Sequence, residues 1–181
     1  MRAFASALAL AFALLPAAAQ PALPVGRTAP DFRTGGALAG QPFRLHLREQ
    51  LRNGPVVLYF YPRAFTQGCT LEAHAFSEAA IEFRRAGARV IGMSADNYEA
   101  LRRFSVEACR NAFPVATASA DVIRDYDVRF SAERGEMTNR TSYVIAPDGR
   151  IIYSYSDLDW RNHVTNTLAA VRQWRARHRR G

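Results

Sequence analysis

Lysine is absent. All 24 basic residues of this 181-residue chain are arginine, which removes Schiff-base chemistry, an amine nucleophile and any phosphate loop ending in Gly-Lys-Ser/Thr. Cysteine is nearly absent as well. The 2 present, Cys69 and Cys109, cannot build a disulfide framework or a four-cysteine zinc site. Neither Gly-x-Ser-x-Gly nor His-Glu-x-x-His occurs, so the familiar serine-hydrolase and zinc-protease signatures are missing. Acidic residues are in the minority, 16 against 24 Arg, for a net charge of +8. Five of the arginines (Arg172, Arg175, Arg177, Arg179 and Arg180) crowd into the last ten positions, where cations suit the negative end of a helix dipole. The rest of the chain is only mildly basic. The charge reads as solubility and an attraction to anionic surfaces, not as a nucleic-acid stripe.

What is present is an ordinary globular balance, 49% hydrophobic and 22% charged, sufficient for one domain with a real core. Residues 3–19, AFASALALAFALLPAAA, carry no charge and follow Arg2. A basic start, an apolar run and Ala17-Ala18-Ala19 at its end make a secretory signal with an A-x-A cleavage site. The run is broken by Pro16 and falls short of the roughly 20 residues a spanning helix needs; an uncleaved anchor is the alternative. The expectation is a signal peptide over 1–19 and a working domain over 20–181, exported, and periplasmic if the source is a Gram-negative bacterium.

Residues 21–42 are rich in Pro and Gly and read as an irregular lead-in with short extended pieces, followed by a short amphipathic turn from Leu45 to Asn53. Pro55 to Tyr61 is a continuous apolar, β-prone run, the pattern of a buried central strand. Leu71, Ala75, Ala79 and Phe83, with Phe76 and Ala80 alongside, recur at helical spacing up to Gly87. Arg89–Met93 is a second buried strand. Tyr98–Arg110 is a second helix, with Leu101, Phe104, Val106 and Cys109 as its candidate buried residues. A short strand over Phe113–Ala118 and a short helix over Asp121–Tyr126 follow. Ser142–Ala146 and Ile151–Tyr155, joined by Pro147-Asp148-Gly149, read as a hairpin, and residues 161–178 as a last amphipathic helix through Val164, Leu168, Val171 and Trp174. The order predicts an α/β domain: a central mixed sheet with parallel βαβ units, then an antiparallel hairpin and helix, the thioredoxin-like arrangement.

The chemistry gathers in Tyr59-Phe-Tyr-Pro-Arg-Ala-Phe-Thr-Gln-Gly-Cys69-Thr-Leu-Glu72. A buried strand ends, a short turn follows, and Cys69 arrives where a helix begins. Ligands of α/β sheets bind beyond the carboxyl ends of the strands, and a helix N-terminus stabilises an anionic sulfur. Thr66, one turn earlier, can place a hydroxyl beside it. Free Cys is also among the most buried residue types, so spacing alone leaves a reactive thiolate and an inert core thiol both open.

Pro62-x-x-x-Thr66-x-x-Cys69 after a Phe-Tyr strand resembles the active-site loop of the peroxiredoxins, the alkyl hydroperoxide reductase / thiol-specific antioxidant family. The wider run is most similar to the Q-type, or bacterioferritin-comigratory, group. The likeness extends over nearly the whole chain after the leader, through Ala29-Pro-Asp-Phe32, Arg140-Thr-Ser-Tyr-Val-Ile145 and Pro147-Asp-Gly149. The resemblance implies a thiol peroxidase without cofactor, monomeric or homodimeric, acting on hydrogen peroxide or organic hydroperoxides. Cys69 would be the peroxidatic cysteine, Thr66 and Arg140 would bind the peroxide oxygens and the thiolate, and Pro62 would shield the sulfur. Arg140 also makes physical sense, because a guanidinium stabilises the thiolate and the departing oxygen.

Two departures from the group matter. Gln67 stands where many members have Pro, at a tolerant position. His74 stands five residues after Cys69, where many members carry the resolving cysteine, so that route to a disulfide is closed. Cys109 is the other candidate resolving residue. It lies about eleven residues down its expected helix, roughly 16 Å from the catalytic edge, whereas a disulfide needs Cα atoms within about 7 Å. A one-Cys mechanism follows, with an external thiol, a thioredoxin-like protein or a small molecule, or a second subunit as reductant. A competing reading from another class is a thioredoxin-like copper chaperone using Cys69 and His74. Five residues on a helix turn such ligands well apart, however. A Cys-x-x-Cys oxidoreductase is excluded by Glu72. Asp157, Asp159 and His163 read as a loop and the polar start of the last helix.

Overall fold

Residues 33–42, expected to lie in an irregular lead-in with short extended pieces, belong instead to an antiparallel hairpin that continues to His46. β1 (Arg33–Leu38) and β2 (Gln41–His46) are joined by Ala39-Gly40, both at positive φ. The computed structural model describes residues 22–178, so the expected leader, the Gln20 boundary, Arg179 and Arg180 lie outside the described residues. After the hairpin come α1 (Leu47–Leu51), β3 (Val56–Phe60), α2 (Gln67–Arg85), β4 (Arg89–Ser94), α3 (Tyr98–Glu107), β5 (Val115–Thr117) and α4 (Ala120–Asp125). A 3-10 turn at Ala132–Arg134, then β6 (Thr141–Ile145), β7 (Ile151–Ser156) and α5 (Arg161–His178), completes the described residues.

The seven strands form one sheet in the order β2-β1-β5-β4-β3-β6-β7. β3, β4 and β5 are parallel neighbours, as their helical crossovers require. β6 runs antiparallel to β3, and β7 antiparallel to β6 through the expected Pro-Asp-Gly turn. The other edge was not expected. β1 runs antiparallel to β5 through Gly36, where a Cβ would stand 2.1 Å from the Val115 carbonyl oxygen. The glycine that reads as a strand breaker is what lets the two backbones meet.

Alternation along β3 divides the core into two layers. Val57 and Tyr59 face a layer built by α2, α3 and α5, through Phe76, Phe83, Leu101, Phe104, Leu168 and Val171. Val56, Leu58 and Phe60 face the opposite layer, formed by α1, α4 and the N-terminal segment. Both faces are covered, which is why β3 is buried at every position. The buried stripe of α2 is Cys69, Glu72, Ala73, Phe76, Ala80 and Phe83. It is rotated from the expected one, and Leu71 is 40% exposed. In α3, Val106 is exposed and Ser105 buried. That helix stops at Glu107, short of the expected Arg110, because Arg110 and Asn111 take positive φ. Cys109 therefore sits in the turn after the helix, its N–H bonded to the Phe104 carbonyl at 2.9 Å.

Candidate active site

β3 delivers the chain to the carboxyl edge of the sheet, and the next residues are held by backbone contacts. The Tyr61 N–H donates to the Met93 carbonyl at 3.0 Å, and the Tyr61 carbonyl accepts from the Thr138 hydroxyl at 2.7 Å. Asp96, just past β4, accepts from the Ala64 N–H at 2.7 Å and from the Ser94 hydroxyl at 2.8 Å. Phe65 is pinned at φ 63, edge-on to Phe104 and beneath the Arg103 guanidinium. A non-glycine residue held there stores strain that its neighbours must offset. Thr66 then opens α2 in an extended conformation, and Cys69 is the third residue of that helix.

Arg140 approaches from the other side of the sheet order. β6 is antiparallel to β3 and Phe60 pairs with Thr141, so the residue before β6 arrives where β3 ends. Its Nη2 lies 3.4 Å from Cys69 Sγ. Nη1 bonds Glu72 Oε2, and Nε donates to the Leu158 carbonyl at 2.9 Å. Three anchors fix one planar group beside a sulfur that is 1% exposed. Gly68 makes room for it, since a Cβ there would stand 3.2 Å from Arg140 Nη2.

Glu72 is the residue that sequence reasoning missed. It is fully buried and ion-paired with Arg140. Burial pushes its carboxyl up to about 8, although the Arg140 charge and hydrogen bond oppose this. Its Oε1 makes no hydrogen bond among the described residues and lies 3.8 Å from His163 Nδ1. One signal was available: Glu72 follows Cys69 by three and precedes Phe76 by four, so a helix that buries both must bury the acid.

His163 also departs from expectation. Instead of a polar helix start it is fully buried, with Nε2 2.9 Å from the Asp157 carbonyl and Nδ1 2.8 Å from the Ser142 hydroxyl. A carbonyl can only accept, so Nε2 carries the proton and Nδ1 accepts from Ser142. Burial pushes the imidazole down to about 4, against the pull of the Asp157 carbonyl and with the Arg140 charge assisting. A folded-state value below the ordinary 6.5 contributes stability that is complete above 6.5 and is lost as pH falls to about 4. Chemical denaturation across that window is expected to show wild type losing up to about 3 kcal/mol more than His163→Asn. Equal pH slopes for the two would contradict a buried neutral imidazole.

The remaining sequence candidates fall on both sides of the line. Thr66 is exposed, and its hydroxyl donates to the Arg63 carbonyl at 3.0 Å, not to the sulfur. Pro62 is half-buried on the same turn. Cys109 is fully buried, and burial pushes its thiol strongly up. His74 is half-buried on α2. Among the described residues no three His, Cys, Asp or Glu side chains gather to hold a metal ion. The group in contact with the Cys69 sulfur is the Arg140 guanidinium, which repels a cation.

Residues 25–154 match the AhpC/TSA family. Peroxiredoxin Bcp of Escherichia coli (strain K12) is 31% identical over 112 residues, covering 60% of this chain and 72% of its own. The chloroplastic peroxiredoxin Q of Triticum aestivum is 30% identical over 177 residues, covering 94% of this chain and 79% of its own. The crystal structure of peroxidoxin BcpB from Mycobacterium tuberculosis is similar, with a TM-score of 0.73 and 33% identity over 82% of this chain and 96% of that one. The chain belongs to the AhpC/TSA family of peroxiredoxins and is a thiol peroxidase, reducing a peroxide at the expense of a thiol.

Proposed function

We propose that Cys69 is the peroxidatic cysteine, that no second cysteine of this chain resolves it, and that an external thiol completes the cycle. The observation that carries this reading is the 3.4 Å contact between Arg140 Nη2 and Cys69 Sγ, across 71 residues of sequence. The Cys69 thiolate attacks one peroxide oxygen and the O–O bond breaks. The sulfur is oxidised to sulfenic acid, and the other oxygen leaves as alcohol or water after taking a proton. One thiol then condenses with the sulfenic acid, releasing water and forming a mixed disulfide. A second thiol displaces Cys69 and departs as a disulfide. Arg140 faces the charge that develops on the departing oxygen. The Thr66 hydroxyl donates its hydrogen bond to the Arg63 carbonyl, so its oxygen is free to accept one from the peroxide O–H. Pro62 restricts water at the same turn.

The one-Cys reading rests on His74 at the fifth position after Cys69 and on the burial of Cys109 past the far end of α3. The charge-free run 3–19 supports export, with the working chain starting near Gln20. Intact-mass analysis after one equivalent of peroxide tests the mechanism. A gain of about 16 Da, one oxygen, is expected in wild type and in Cys109→Ser alike. A loss of about 2 Da in wild type alone would instead establish an intramolecular disulfide.

A further inference from the structure

The end of the molecule opposite Cys69 carries a feature that peroxide chemistry does not use. α2 starts at the sulfur and ends in Arg84 and Arg85, about 22 Å away along the helix axis. Arg89 opens β4 three residues beyond Ala86, and the Arg175 guanidinium reaches to 4.0 Å from the Cβ position of Gly87. Arg177 follows in the last turn of α5. None of these five forms a salt bridge among the described residues. The nearby Glu82 is taken by Arg172. Elsewhere arginines are paired at Glu78, Glu99, Glu107 and Asp121, whereas others without a salt bridge among the described residues, such as Arg44, Arg63 and Arg134, are scattered singly along the sequence.

A cavity of about 210 Å³ opens beside two of these cations, Arg84 and Arg89. Phe43, Phe83, Ile91 and Phe113 line it, and Arg84 and Arg89 stand in its wall. Both guanidiniums are held in place, Arg84 by the Ala112 carbonyl at 3.4 Å and Arg89 by Gln50 Oε1 at 2.9 Å. Each keeps further N–H donors for an acceptor outside the protein. An apolar recess bordered by fixed cations without acidic partners is complementary to an amphiphile with a negative head. We infer that this end docks on an anionic phospholipid leaflet. One acyl chain enters the recess, its phosphate is held by Arg84 and Arg89, and neighbouring headgroups meet Arg85, Arg175 and Arg177. Arginine suits this role because its planar fork matches phosphate oxygens in pairs. Bound this way, the catalytic edge faces away from the bilayer and into the solution that brings peroxide and thiol.

The test is co-sedimentation of the full chain with vesicles of phosphatidylcholine alone and with vesicles containing one part phosphatidylglycerol to two of phosphatidylcholine. Residues 3–19 carry no charge, and Met1-Arg2 before them is common to wild type and variants, so the change each substitution makes reads the arginines. Binding is expected to favour the anionic vesicles at least tenfold and to weaken with salt. Arg84→Gln/Arg89→Gln should cut that preference severalfold, Arg85, Arg175 and Arg177 keeping the remainder. Ala112→Phe, which fills the recess from its half-buried rim, should reduce binding severalfold. Unchanged peroxide turnover, read at the other end, reports that each variant is folded; Ala112→Leu replaces the phenylalanine variant should that one fail to fold. Equal binding to both vesicle types overturns the proposal. So does a preference unchanged by the double substitution, or binding indifferent to filling the recess.

Discussion

Cys69→Ser is expected to abolish peroxide consumption with any thiol reductant, while Cys109→Ser retains most of it. A serine hydroxyl at this position is neither ionised at neutral pH nor oxidisable to a sulfenic acid, so no residual route remains through it. Cys109 offers no substitute, because it is fully buried with its thiol pushed strongly up by that burial, and the thiolate is the reactive species. Consumption of peroxide followed by ultraviolet absorbance, with each variant checked by its melting temperature, gives the comparison. Substantial turnover by Cys69→Ser would place the chemistry elsewhere.

The second large effect belongs to Arg140. Arg140→Met is expected to lower the rate constant for peroxide by about 10²–10³, the range seen when one oriented donor is removed from a developing oxyanion. Removing one partner of a buried ion pair ordinarily costs about 3–5 kcal/mol of stability, because the other charge is stranded. Glu72 softens that cost, since its burial already favours the protonated carboxyl. The double variant Arg140→Met/Glu72→Gln leaves no charge to strand and keeps folding separate from catalysis. Stopped-flow rates for the single and double variants should be equally depressed. Arg63 gives the control: it is exposed on the turn and contributes a backbone carbonyl to Thr66. If Arg63→Met cripples the rate and Arg140→Met does not, the assignment of the guanidinium is wrong.

How far the sequence disclosed this molecule varies along the chain, for physical reasons. Val56–Phe60 was legible because a strand covered on both faces must be continuously apolar. The C-terminal hairpin was legible through Pro147-Asp-Gly149. The N-terminal hairpin was not, since Gly35, Gly36 and Pro42 read as breakers, and the close approach that Gly36 permits is a tertiary fact. Cys69 stood out by its position, and Arg140 by likeness to a family motif. Glu72 and His163 were passed over because acids and histidines are ordinarily exposed. Their burial depends on partners 68 and 21 residues away, Arg140 and Ser142. Leu71 misled for the converse reason: the stripe that packs includes an acid, so the apolar pattern was counted on the neighbouring face.

The guanidinium shared by Glu72 and Cys69 ties two equilibria into one. A single buried cation stabilises one buried anion fully and a second much less. Whenever the sulfur is uncharged, Arg140 has only the carboxylate to neutralise, and Glu72 releases its proton more readily. When the sulfur is anionic, Glu72 retains that proton. Oxidation of the sulfur to a neutral species is then accompanied by proton release from a residue that never meets the peroxide. That proton returns to Glu72 when the thiol reductant restores the anionic sulfur, so it shuttles within each turnover and leaves the overall stoichiometry unchanged.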